Sequence, residues 1–125
     1  VIVEADGSRR LPLKIHTERD PVIWSPTSSV VSISGLWAYG KKVEESVFGE
    51  ERKGLYVDKS YFEYLISTPQ GMIKGMRKDT NNVFLFNGGD EVGEEVREEI
   101  KSIRLPLRAK GFIVSLYEDE IYESL

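Results

Sequence analysis

Cysteine is absent from the 125 residues. That excludes disulfides, thiol nucleophiles and thiolate metal sites, and it fits the cytoplasmic location expected of the chain. Histidine occurs once, at His16. A lone histidine with no cysteine makes a poor metal site, and the reading given to His16 is a surface or hydrogen-bonded role. No serine has a credible base, so no Ser/His/Asp set is identifiable. No apolar run approaches the roughly 20 residues of a membrane-spanning helix, and the first residues lack the basic and long apolar regions of a secretory signal. The net charge of −4 argues against broad nucleic-acid binding, which needs a basic surface. No repeat, no low-complexity linker and no G-x-x-x-x-G-K-[ST] run is present.

What remains is an ordinary globular composition, 40% hydrophobic and 30% charged over 125 residues, enough for one domain with a real core. "VIVEA", Val1–Ala5, reads as a buried strand already under way, closed by the turn signal "DGS". This start leads to the expectation of a single α/β domain over residues 1–125 that could be the C-terminal part of a longer one. From Gly7 to Ser29, Pro12, Pro21 and Pro26 interrupt any helical period. A loop of that length is often functional, and "LPLKI" within it could be a brief extended piece. "VVSISG", Val30–Gly35, reads as a strand. Lys41 to Lys53 is ambiguous, a weak helix broken at Gly49.

Two helices stand out. Asp58 suits an N-cap ahead of Tyr61, Phe62, Leu65 and Ile66 at helical spacing, with Pro69 and Gly71 as the stop. Val92, Val96, Ile100 and Ile103 set a second helix over Glu91–Arg104. It is acidic at its start and basic at its end, as the helix dipole favours. Val83–Phe86 and Phe112–Leu116 are the remaining strands. Strands alternating with helices, apolar on both faces, argue for a mostly parallel sheet flanked by helices.

Ligands of such sheets bind beyond the C-terminal strand ends, where "EADG" and "NGGD" fall. Glu4 and Asp6 could hold magnesium, and Gly7 could let the backbone approach a terminal phosphate. Asn87 and Asp90 could read a nucleotide base. Each motif also has a bland reading: Asp-Gly is a common turn, and Asp90 is a good N-cap for the following helix. Arg9, Arg10 and Lys14 are candidate anion contacts. Lys74, Arg77 and Lys78 read as a solvated loop.

Val3-Glu4-Ala5-Asp6-Gly7, Leu11-Pro12-Leu13-Lys14, Pro21-Val22-Ile23, Gly35-Leu36, Ala38 and Gly40-Lys41 resemble the centre of the YqeC-like family, accessory proteins of selenium-dependent molybdenum hydroxylases. The resemblance covers roughly Val1 to Asp90 and is densest over the first forty-one residues. It implies a P-loop NTPase-like fold, GTP or ATP with magnesium as ligands, and a molybdenum hydroxylase as client. Members usually carry a phosphate loop upstream of V-E-A-D-G, and N-K-x-D where this chain has Asn87-Gly88-Gly89-Asp90.

The departures are specific. Gly88 replaces the lysine, Arg19-Asp20-Pro21 stands where the family has H-E-P, and Phe48-Gly49 falls where it tends to carry histidine-arginine. Without a phosphate loop there is no cradle of N–H groups, so unaided hydrolysis is not expected. The competing expectation is a degenerate relative that binds protein. A sheet without the phosphate-loop unit would leave an edge open, hence the further expectation of a homo-oligomer or of an upstream segment covering that edge.

Overall fold

The strand Asn81–Asn87 (β4) sits at the centre because its alternate residues Asn82, Phe84 and Phe86 are buried. The computed structural model describes all 125 residues. Ahead of β4 in the chain are β1 (Leu13–Lys14), β2 (Ser29–Gly35), a one-turn helix α1 (Val43–Ser46), β3 (Val47–Phe48) and α2 (Lys59–Ser67). After it come α3 (Glu94–Lys101), β5 (Lys110–Ser115) and β6 (Glu120–Ser124). The main sheet has the order β2-β4-β5-β6, with β1 and β3 forming a separate parallel pair. β2, β4 and β5 are parallel; β6 turns back antiparallel along β5. The α/β expectation and the mainly parallel sheet therefore stand.

Both long helices cover one face of this sheet. Tyr61, Phe62, Leu65 and Ile66 of α2 and Ile100 of α3 join Phe84, Phe86 and Ile113 in one apolar core. Phe62 meets Phe86 edge-on at 6.1 Å and stacks on Tyr39 at 6.5 Å. On the opposite face Val31, Ile33 and Ile121 are exposed, and Val83, Leu85 and Phe112 are only partly buried. Apolarity on both sides of the strands is thus real, but this chain leaves most of the second side open, covering it only near Gly35 and Val114.

Two sequence expectations are corrected. Val1–Ala5 is not a strand: Val1, Ile2 and Val3 are exposed, and the segment's one backbone bond runs from the Val22 N–H to the Ala5 carbonyl, at 3.4 Å. Its β-branched sequence favours extended backbone, yet a strand exists only as half of a ladder. The second helix begins at Glu94, not Glu91, and Asp90 does not cap it. Gly88 takes a left-handed φ of 92° and throws the chain into a 3-10 turn over Gly89–Glu91; Val92 is then extended, and Gly93 becomes the N-cap. The fourth strand of the sheet, β6, had no counterpart in the sequence reading.

Candidate functional site

The C-terminal strand ends of β2, β4 and β5 are level, with Gly35 opposite Asn87 and Asn87 opposite Val114. The Gly35 N–H donates to the Pro12 carbonyl at 2.8 Å, which hangs β1 beside this end of the sheet. Leu13 and Lys14 then pair with Val47 and Phe48. From β1 the Lys14 ammonium donates to the Gly7 carbonyl at 2.6 Å, pairs with Asp20, and lies 3.6 Å from Asp6 Oδ2. The same Asp6 oxygen is 2.5 Å from His16 Nε2. His16 Nδ1 faces the Gly71 carbonyl at 3.0 Å and the Gln70 carbonyl at 3.2 Å.

Asp20 also accepts from the Thr17 N–H and hydroxyl at 2.7 and 2.8 Å. Partial burial pushes its carboxyl up, but the hydrogen bonds from Lys14 and Thr17 outweigh this and hold it well below the usual carboxylate range. Phe48 closes the cluster from the side: Lys14 Nζ lies 5.6 Å and Arg9 Cζ 5.4 Å from its ring centroid, within reach of a cation–π contact. The aromatic that stands in place of the family's histidine thus packs on two of the cations singled out by sequence.

Of the residues expected at the site, Asp6, Gly7 and Lys14 are brought together. Arg9 is drawn to Phe48, while Arg10 is exposed. Glu4 is exposed, and no group of three or more His, Asp or Glu side chains converges anywhere to hold a metal ion. Magnesium at Asp6 would have to displace an ammonium that already sits among Asp6, Asp20 and the Gly7 carbonyl. The residues present do not fit a ready magnesium site.

The second motif is built differently. Asn87 Oδ1 accepts the Leu116 N–H at 2.9 Å, which fastens the end of β5 to β4. Gly88 lies under Trp37: a Cβ there would come within 2.8 Å of the indole. Trp37 also lies over Gly35, so one ring bridges the ends of β2 and β4. Asp90 is exposed on its 3-10 turn. Asp6 and Asn87 are linked only through Lys14, β1, Pro12 and Gly35; no hydrogen bond or ion pair joins the two motifs directly. Two open grooves of about 380 and 410 Å³ lie elsewhere, one by Ile66 and Leu105 and the other by Tyr39 and Glu99, and neither is lined by any of these residues.

The hydrogen-bonded role read for His16 stands, but sequence reasoning placed neither it nor Asp20, Trp37 or Phe48 at the site. His16 and Asp20 lie in a proline-spaced loop with no period to flag them; Phe48 is marked only as a departure from the family pattern, and Trp37 could be core or an interface. The local signals were that Asp20 stands in the altered H-E-P segment and Phe48 in place of the family's histidine.

Residues 1–51 match the model of the YqeC protein family. No curated protein and no solved structure matches the chain. The matched span holds β1, β2, β3 and the whole Asp6–Lys14–His16–Asp20 cluster, and none of the Asn87–Asp90 turn. Over that span, which is where the partly exposed charge cluster lies, the chain is similar to the YqeC family.

Proposed function

We propose that this is an accessory factor of the YqeC kind that serves a selenium-dependent molybdenum hydroxylase and works by binding protein, with a P-loop NTPase-like ancestry but no unaided nucleotide hydrolysis. The observation that carries the reading is the internal use of the groups a nucleotide would need. Asp6 is taken by His16 and Lys14, Asn87 Oδ1 by the Leu116 N–H, and Gly88 has no stem to lay along a base. A thermal-shift titration with GTP and ATP, with and without magnesium, tests it. The expected result is no change in melting temperature; saturable stabilisation by either nucleotide would overturn the protein-binding reading. Co-elution with a purified client hydroxylase in gel filtration is the positive arm.

One observation favours a second reading, in which nucleotide is bound but not cleaved. Asp90 is exposed on a glycine turn at a C-terminal strand end, where ligands of such sheets collect. Asp90→Asn separates the two readings: it would abolish nucleotide stabilisation if there is any, and leave client binding untouched.

A further inference from the structure

We propose that Asn87–Gly88 is a latent deamidation site, closed by the end of the β4–β5 ladder and reactive only when that end separates. The chain has three asparagines, Asn81, Asn82 and Asn87, and only Asn87 precedes a glycine. The reaction begins when the Gly88 amide loses its proton to solvent base and its nitrogen attacks Asn87 Cγ. A bond forms from that nitrogen to Cγ, the Cγ–Nδ2 bond breaks, and the amide leaves as ammonia, taking a proton back from solvent. Water then opens the cyclic imide. Breaking the Cγ–N bond gives aspartate; breaking the bond to the main-chain carbonyl gives isoaspartate, with the backbone rerouted through Cγ. A glycine in second place favours the attack because no Cβ crowds the nitrogen.

In the folded chain both reacting groups are held by β5 and the turn after it. The Gly88 N–H donates to the Val114 carbonyl at 2.9 Å, and Asn87 Oδ1 accepts the Leu116 N–H at 2.9 Å. The first bond keeps the proton on the nitrogen that must lose it. The second ties down the carboxamide whose carbon must be attacked. Gly88 is also buried, next to the Trp37 indole, out of reach of solvent base. Asn87 and Val114 form the last pair of the β4–β5 ladder, and beyond it Leu116 and Tyr117 are exposed. On its other side Val114 stands at the register shift of the β5–β6 ladder. Ladder ends of this kind open at low cost, and one separation frees the nitrogen and the carboxamide together.

The two products leave different strand ends behind. Aspartate keeps an oxygen acceptor for the Leu116 N–H. Isoaspartate inserts a methylene into the backbone where Gly35, Asn87 and Val114 stand level. That carries the Gly88 N–H off the Val114 carbonyl and disturbs the left-handed turn beside Trp37. A ladder in fixed register, one residue to each rung, has no place for the extra atom. The isoaspartate chain therefore does not rebuild this strand end, and a transient opening becomes a permanent one. The Asp6 cluster takes no part, so this inference stands or falls apart from the accessory reading.

The test keeps the chain folded or in guanidinium, in the same warm, mildly alkaline buffer, and maps the tryptic peptide 79–97, which holds all three asparagines, by mass. Amide-to-acid conversion at position 87 should run about tenfold or more slower in the folded chain, because its rate follows the population of the open ladder end. Removing the denaturant then sorts the products. The folded fraction from gel filtration should carry the aspartate product and be depleted several-fold in isoaspartate. Asn87→Asp, made directly, should fold with the wild-type far-UV spectrum. Equal rates in the two states, a folded fraction that holds both products in their unfolded ratio, or an Asn87→Asp chain that does not fold would each overturn the proposal.

Discussion

At position 88 the conformation and the neighbour both demand glycine. The φ of 92° costs an ordinary residue about 1–2 kcal/mol, and a Cβ would press on Trp37 as well. Restoring the family's lysine with Gly88→Lys is therefore expected to destabilise the chain by about 2 kcal/mol or more in urea unfolding. Part of that cost belongs to the indole. In the Trp37→Ala background the same substitution should cost less than it does alone, a non-additivity that a double-mutant cycle reads directly. If the two effects add, Trp37 is not what excludes lysine. A different kind of misfit sits at Ser46, whose hydroxyl is buried without a partner. Alanine there removes an unsatisfied group and has the better helix propensity in α1, so Ser46→Ala should raise stability by about 0.5–1 kcal/mol.

Among the elements, α2 is the one most securely fixed by its own sequence and its neighbours. Asp58 accepts the Tyr61 N–H at 2.9 Å as the N-cap, and Asp58→Ala should cost about 1 kcal/mol. The body of the helix is tied to the loop before it, since the Tyr61 hydroxyl donates to Glu50 at 2.7 Å and Arg52 pairs with Glu50 at 2.9 Å. The Arg52 hydrogen bond holds the Glu50 carboxyl down at about 2, against the opposing effect of burial. A carboxyl depressed in the folded state contributes stability that is present above its unfolded value, near 4.3, and is lost as pH falls towards 2. Glu50→Gln should thus flatten the acid limb of the stability profile between about pH 4.5 and 2. Tyr61 acts at the other end of the scale: burial first, then the Glu50 contact, raise its phenol far above the ordinary value. Its contribution is present below pH 10 and is lost as alkali rises beyond that.

For the molecule as a whole, what the sequence disclosed depended on whether the signal was local. The β4 run, the Asp58 cap and the apolar period of α3 are written in neighbouring residues and were legible. β6, "EIYES", was not, because an edge strand with exposed Glu120 and Ile121 has no buried alternation to display. Val1–Ala5 misled, since β-branched residues report a preference for extension and not the existence of a partner. The charge cluster was half legible: Asp6, Gly7 and Lys14 stood in one motif, but His16 meets Gly71 across 55 positions. Least visible was that the sheet is packed on one side only, and that one-sidedness has an energetic signature. Phe62→Ala, at a fully buried site against Tyr39 and Phe86, should cost about 3–5 kcal/mol, much of the 5–15 kcal/mol that holds a typical domain together. Ile33→Ala, on the open face, should cost less than about 1 kcal/mol in dilute solution, where little contact is lost. Urea melts of both variants check this. A Phe62→Ala penalty several times that of Ile33→Ala is the expected pair; an Ile33→Ala cost of several kcal/mol would mean that this face is covered within a single chain.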